Sequence, residues 1–236
     1  VTISVGRARM TFTDRHGGVS TGPYSSRNLG GLVGDDPEAV AANRARTAAE
    51  LGLAGLVFLR QVHGADVAYV TAPFTGDAPP LDGSVTDRPG LGLAVLGADC
   101  APVLVADPVA GVVGAAHSGR PGTLAGVAGN LVAEMARRGA EPSRCVAVIG
   151  PAACGRCYEV PEAMREEGAA RVPETWSTTS WGTPALDLRA GIAAQLVKAG
   201  VGEVRHDDRC TIESEELFSH RRERVTGRFA GIVWLT

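Results

Sequence analysis

A thiol and an imidazole, Cys100 and His117, stand in the largely apolar stretch from Ala94 to Gly119. A thiolate and a neutral imidazole are donors that suit zinc, and the same pair can act as a nucleophile and its base. A second imidazole, His63, stands in Gln61-Val62-His63-Gly64, just after the apolar run Gly55 to Leu59. Two His and one Cys at strand ends can form a three-ligand zinc site with one position open, the arrangement of catalytic rather than structural zinc. The spacings are far longer than those of compact zinc motifs. Ligand chemistry alone therefore leaves the plainer reading open, a small buried Cys among apolar neighbours.

The elements that must position these groups are strands. Leu91 to Leu96, Val103 to Ala106 and Val112 to Ala116 read as buried strands, with Asp107 to Gly111 as the reversal between the last two. Thr2 to Phe12 alternates like one strand, and Leu53 to Val70 reads as two strand-like runs interrupted around His63. A first helix is signalled by Asp36 as N-cap, Pro37 at the first helical position and Gly52 past the end. Its Asn43 and Arg44 can face a site or solvent, and helix propensity alone favours solvent. Thr71 to Pro80 is a Pro-rich surface connection leading to Leu81-Asp82-Gly83.

After His117, the turn Ser118 to Thr123 leads into a helix expected from about Leu124 to Arg138. A Gly-rich turn that opens a helix offers unpaired N–H groups to an anion, phosphate being the obvious one. Downstream come a strand at Cys145 to Ile149, a helix from Pro161, an exposed connection from Pro173 to Pro184, and a helix at Leu188 to Ala199 capped by Asp187. A short strand at Val204 to His206, a helical piece at Ser214 to Phe218 and a last strand at Arg228 to Leu235 complete the reading. There is no strict βαβ repeat. The expectation is a mixed α/β (α+β) layered sandwich with mixed, largely antiparallel sheets, forming a single domain over 1–236.

Composition narrows the function. Hydrophobic residues make up 44% of the chain and the net charge is -3, which supports a full core and argues against a nucleic-acid partner. No run reaches membrane-span length and no signal-peptide layout is present, so a cytoplasmic location is expected. Five Cys in such a chain argue against a disulfide framework. Cys154-Gly155-Arg156-Cys157 is a CxxC pair, readable as a redox motif or as half of a zinc knuckle, and no second CxxC completes a four-thiolate site. Dinucleotide, Walker, HExxH and GxSxG motifs are all missing.

Seven collinear blocks together carry a resemblance. They are FTDRHGGVSTGPYSSRNLG (Phe12 to Gly30), VGDDPEAVAANR (Val33 to Arg44), LRQVHGADV (Leu59 to Val67), LAVLGADCAPVLVADP (Leu93 to Pro108), GAAHSG (Gly114 to Gly119), IGPAACGRCYEV (Ile149 to Val160) and CTIESEELFSHRRERVTGRFAGIVWL (Cys210 to Leu235). The chain resembles the laccase-domain family, also called the polyphenol oxidase or YfiH-like family. That resemblance implies a zinc-dependent purine nucleoside phosphorylase with His63, Cys100 and His117 as metal ligands. Its substrates would be adenosine, inosine, guanosine or methylthioadenosine, with phosphate, and adenosine deamination would be a second activity. The implied fold is related to that of a deamidating bacterial toxin with a Cys-His site.

Within the family blocks, Asn28 and Arg44 are expected to contact nucleoside or phosphate, and Asp99 to orient a ligand or carry a proton. One departure is evident. Where the family's last ligand block continues Gly-Trp-Arg-Gly, this chain has Gly119-Arg120-Pro121-Gly122, so Arg120 as a phosphate contact is displaced by one position. Copper-laccase chemistry, suggested by the family's name, needs further copper clusters that five His do not supply. Two other readings stay beside the phosphorylase. Cys100 and His117 can form a Cys-His hydrolase acting on an amide or a cell-wall precursor. Alternatively the chain stores metal or binds a partner, with Cys154, Cys157 and Cys210 contributing.

Overall fold

A computed structural model describes residues 2–236. The first run is a hairpin rather than one strand: β1 (Thr2–Val5) and β2 (Ala8–Phe12) reverse at Gly6, whose φ of 55° is left-handed. Helix α1 (Pro37–Glu50) starts as its cap requires, with the Asp36 carboxylate accepting the Glu38 N–H. Strands β3 (Gly55–Phe58), β4 (Val67–Tyr69) and β5 (Gly83–Thr86) follow. Three consecutive seven-residue strands come next, β6 (Leu91–Gly97), β7 (Ala101–Asp107) and β8 (Val112–Ser118).

The helix after His117 begins earlier than expected and is broken. α2 (Arg120–Ala125) and α3 (Val127–Arg137) meet at Gly126, whose φ of 83° stops the first and redirects the second. Strand β9 (Val146–Ile149) and α4 (Glu162–Arg171) come next. The connection expected after Pro173 contains a hairpin, β10 (Trp176–Thr178) with β11 (Pro184–Leu186). Helix α5 (Leu188–Lys198) is capped by Asp187, which accepts the Ala190 N–H. β12 (Glu203–His206) follows. Ser214 to Phe218 is turn, not helix; the short helix α6 (His220–Glu223) starts after Ser219, whose hydroxyl accepts the Arg222 N–H. β13 (Phe229–Leu235) closes the fold.

Two mixed sheets result, with orders β1-β2-β13-β6-β3 and β12-β9-β7-β8-β5-β4. The parallel pairs are β3 on β6, β9 on β12 and β4 on β5; the other pairs are antiparallel. Alternation along each strand explains the layering. On β7, Leu104 and Ala106 pack toward the other sheet with Leu93, Val95 and Val233, while Val103 and Val105 pack under α3 and α5 with Leu131, Met135 and Ile192. On β6 and β13, Ala94, Ile232 and Trp234 face outward against Leu29 and Leu53, beside α1. Both faces of these strands are covered, which is why they read as continuous apolar runs.

This topology fixes where chemistry can sit. β3 and β6 run parallel in the five-stranded sheet, so their C-terminal ends lie side by side. Each then crosses into the other sheet, through residues 59–66 to β4 and through 98–100 to β7. The end of β8 is brought to the start of β7, with His117 opposite Pro102. His63 on one crossover, Cys100 on the other and His117 on β8 therefore meet at one end of the sandwich.

Candidate active site

The ligand atoms of His63, Cys100 and His117 all lie within 4.8 Å of one another. The two imidazoles meet edge to face, with centroids 4.8 Å apart. His117 is buried, Cys100 half-buried and His63 exposed, so the group is open on one side. Sulfur and two ring nitrogens are a donor set that fits zinc and still leaves room for a further ligand.

A residue with no role assigned from sequence organises this group. Asp82, fully buried, accepts the Nδ1–H of His117 at 2.8 Å and three successive backbone N–H groups, those of Val62 at 3.1 Å, His63 at 3.0 Å and Gly64 at 2.6 Å. Its own carbonyl accepts the His117 N–H. One carboxylate thus aims the His117 ring and folds the loop that carries His63. The three N–H groups form a nest around it, which fits the left-handed φ of 60° at His63. Burial pushes the Asp82 carboxyl up, but the bonds from His117 and the loop outweigh it and hold it below its usual range. The only sequence signal was an Asp before Gly83 at the start of a buried strand.

Gly119 is required by close approach. A Cβ there would lie 2.7 Å from His63 Nδ1 and 2.8 Å from Cys100 Sγ. Burial pushes the Cys100 thiol up, yet the charges and hydrogen bonds of His117 and His63 prevail and bring it down to about 6. Burial depresses the His117 imidazole, but the Cys100 thiolate and Asp82 together raise it to about 9. Without metal the pair is a thiolate facing an imidazolium, and both atoms become available donors once the proton leaves.

The three groups stand at the floor of a cleft of about 1000 Å³. Leu56, Phe58, Phe74 and Leu96 give it apolar walls, and Arg44, Arg60 and Arg228 line it with positive charge. The Pro-rich connection contributes Pro73 and Phe74 and so walls the cleft, beyond its expected role as a surface link. Arg44, turned to solvent by propensity alone but made a ligand candidate by the family resemblance, lies with its guanidinium 3.9 Å from the Phe58 ring centroid and donates to the Leu29 carbonyl at 2.9 Å. Its neighbour Asn43 points inward, bonding Ser20 and the carbonyls of Ser26 and Asn28. Arg228, not singled out from sequence, donates to the carbonyls of Thr226 and Gly227. Burial lowers the pKa of both Arg44 and Arg228 without removing their charge, and neither is ion-paired among the described residues.

The remaining residues singled out from sequence lie outside the cleft lining. Asn28 is fully buried; its amide oxygen accepts the N–H of Gly30 and of Arg228, so it acts beneath the cleft wall. Asp99, at φ 100°, accepts from Thr211 Oγ1, Ser219 Oγ and the Arg221 N–H, and so ties the segment after Cys210 to the residue before Cys100. Arg120 is the first residue of α2 and is not among the cleft-lining residues, though its charge and that of Cys100 both act on the Tyr158 hydroxyl. The turn at Gly119 offers an anion little: α2 has six residues, and its second, Pro121, has no N–H.

Comparison with known proteins agrees with this architecture. The chain is similar to the purine nucleoside phosphorylase ORF3 of Streptomyces griseus, 60% identical over 98% of this chain and 95% of that one. It superposes on the crystal structure of the Neisseria meningitidis protein NMB0706 with a TM-score of 0.90 at 35% identity, covering 100% of this chain and 98% of that one. The crystal structure of YlmD from Geobacillus stearothermophilus matches with a TM-score of 0.89 at 38% identity, covering 97% and 92%. Residues 9–236 match the family described as multi-copper polyphenol oxidoreductase laccase, and the chain belongs to that family.

Proposed function

We propose that this chain is a zinc-dependent purine nucleoside phosphorylase, converting adenosine, inosine, guanosine or methylthioadenosine and phosphate to the free base and ribose 1-phosphate. The observation that carries the reading is the His63–Cys100–His117 group at the floor of a cleft lined by arginines without ion-pair partners. Relatives that bear the phosphorylase name at 60% and 57% identity support it. His63, Cys100 and His117 hold the metal, which when bound supplies a Lewis acid beside the cleft. Arg44 and Arg228 hold the phosphate dianion against the sugar, and the apolar wall around Phe58 and Phe74 takes the flat base and excludes water.

A phosphate oxygen forms the new C–O bond at the anomeric carbon as the C–N bond to the purine breaks, and the departing base takes up the proton that hydrogen phosphate gives up. Asp82 keeps His117 in one tautomer throughout. Asn28 acts as a positioning residue through Arg228, and Asp99 as a brace behind Cys100. Deamination of adenosine in the same cleft is a different reaction, in which water attacks C6 of the purine and ammonia leaves, so the base rather than the anomeric carbon must then face the three-donor group. Copper oxidation of polyphenols is disfavoured by the donors: of five His, only His63 and His117 converge in a metal-type group among the described residues.

A second reading rests on the line Cys100, His117, Asp82, which is the order of a cysteine hydrolase acting on amides. Zinc-loaded protein incubated with adenosine, with and without phosphate, separates these readings. Adenine and ribose 1-phosphate formed only with phosphate, and lost in Cys100→Ala, support the phosphorylase. Inosine formed without phosphate makes deamination the main activity. No turnover of any nucleoside overturns the proposal and favours the hydrolase.

A further inference from the structure

A second group of donors lies away from the cleft. The sulfurs of Cys154, Cys157 and Cys210 and a carboxylate oxygen of Glu213 are within 4.8 Å of one another. The three Cys are buried, and Glu213 is exposed. No second CxxC exists in the sequence, but the structure supplies its equivalent: Cys154-Gly155-Arg156-Cys157 faces Cys210-Thr211-Ile212-Glu213, two turns with the same two-residue spacing between donors.

The two turns are built alike. In the first, the Arg156 N–H points at Cys154 sulfur while the N–H groups of Cys157 and Tyr158 bond the Cys154 carbonyl. In the second, the Glu213 N–H reaches Cys210 sulfur and the N–H groups of Glu213 and Ser214 bond the Cys210 carbonyl. The turns are joined directly, since Cys154 N–H donates to Cys210 sulfur at 3.4 Å and Thr211 N–H to the Ala152 carbonyl at 3.2 Å. The N–H groups aimed at sulfur and the Arg156 guanidinium beside Cys154 place positive charge against the three sulfurs, whose close approach otherwise calls for a cation between them.

We propose that Cys154, Cys157, Cys210 and Glu213 form a second, structural zinc site with three thiolates and one carboxylate. Four donors on two paired turns make a closed tetrahedral set, unlike the open three-donor group at the cleft. Three converging thiols and a carboxylate exceed what a single disulfide uses. The site staples the segment 152–158 to the segment 207–216. Ala153 N–H bonds the Asp99 carbonyl and Thr211 bonds its carboxylate, so the staple braces the turn that presents Cys100.

The test uses the Cys100→Ala chain, which removes the cleft site and leaves four Cys. Purified under reducing conditions from zinc-supplemented cells, it is expected to carry one zinc per chain by elemental analysis. Cobalt exchange should give a tetrahedral spectrum with thiolate-to-cobalt charge transfer. Adding Cys154→Ser and Cys157→Ser should abolish both signals. Because that variant can lose its fold, Glu213→Gln serves as the mild perturbation, expected to keep the fold and release zinc to a chelator about tenfold or more faster. Cys100→Ala protein without zinc or a cobalt spectrum overturns the proposal. So does a count of two free thiols in denaturant instead of four, which means a disulfide, and so does a Glu213→Gln release rate equal to that of its parent.

Discussion

Replacing Asp82 by Asn is the most direct test of how the site is organised. The carboxylate accepts from His63 N and His117 Nδ1 at Oδ1, and from Val62 N and Gly64 N at Oδ2. An amide places an NH2 at one of these positions, so either orientation sets it against two donors. With the NH2 at Oδ1, the His117 ring must take its proton at Nε2 and ceases to be a donor to metal; with it at Oδ2, the His63 loop is released. One donor, with the NH2 at Oδ1, or two, with it at Oδ2, are left unpaired at about 1–3 kcal/mol each, so D82N should lose about 1–6 kcal/mol of stability. Against a typical total of about 5–15 kcal/mol, the protein stays folded but visibly weakened. Urea unfolding of the metal-free protein reads this loss, and competition with a chromophoric chelator should show zinc affinity lowered about 10–100-fold. If D82N unfolds within about 0.5 kcal/mol of the wild type and competes equally for zinc, Asp82 does not organise the site.

Gly119→Ala should push His63 and Cys100 apart, since the new methyl would meet both at under 3 Å; zinc affinity by chelator competition is expected to drop about tenfold or more. In metal-free protein, iodoacetamide should alkylate Cys100 with an apparent pKa of about 6, giving a flat rate at alkaline pH where an ordinary thiol still rises, and zinc should block the reaction. The lowered thiol contributes stability that is fully present above its unfolded value of about 8.5 and lost as pH falls through about 6. His117 contributes below its unfolded value of about 6.5 and loses that contribution as pH rises through about 9; urea midpoints of wild type and Cys100→Ala across pH should diverge accordingly. Arg228→Met should raise the KM for phosphate about 10–100-fold, from about 1.5–3 kcal/mol per charge-assisted bond, with the nucleoside KM within about twofold. An unchanged phosphate KM removes Arg228 from the proposed role.

The metal-type group was legible because residue type survives in one dimension: Cys and His stand out against the apolar runs of β6, β7 and β8. The strands were legible for the same reason, both faces being buried. What escaped was whatever depends on two distant segments meeting. Asp82 reads as turn punctuation until β5 carries it beneath both His63 and His117. Arg228 reads as the start of a strand until Asn28 holds its N–H at the cleft wall. Propensity alone turned Arg44 to solvent, because α1 shows no outward sign of which face meets the Phe58 ring, and only the family resemblance made it a ligand candidate. Of the four-donor cluster, Cys154, Cys157 and Cys210 were already candidates from sequence, while Glu213 was invisible to a search for paired CxxC motifs. The break at Gly126 was lost inside a run of good helix formers.

The cleft has a floor and a rim built by different rules. At the floor, His63, Cys100 and His117 are held by sheet crossovers, a buried carboxylate and the close approach at Gly119, so substitutions of Asp82 or Gly119 disturb the frame as well as the chemistry. At the rim, Leu32, Phe74, Gly76, Asp77 and His220 sit on exposed loops or a short helix. Surface changes of that kind usually shift stability by no more than about 0.5 kcal/mol. Substrate preference can therefore drift through rim substitutions while the reacting centre stays fixed. For anyone re-engineering this scaffold toward a different nucleoside, the rim is the place to diversify, and libraries built there should stay folded and metal-competent.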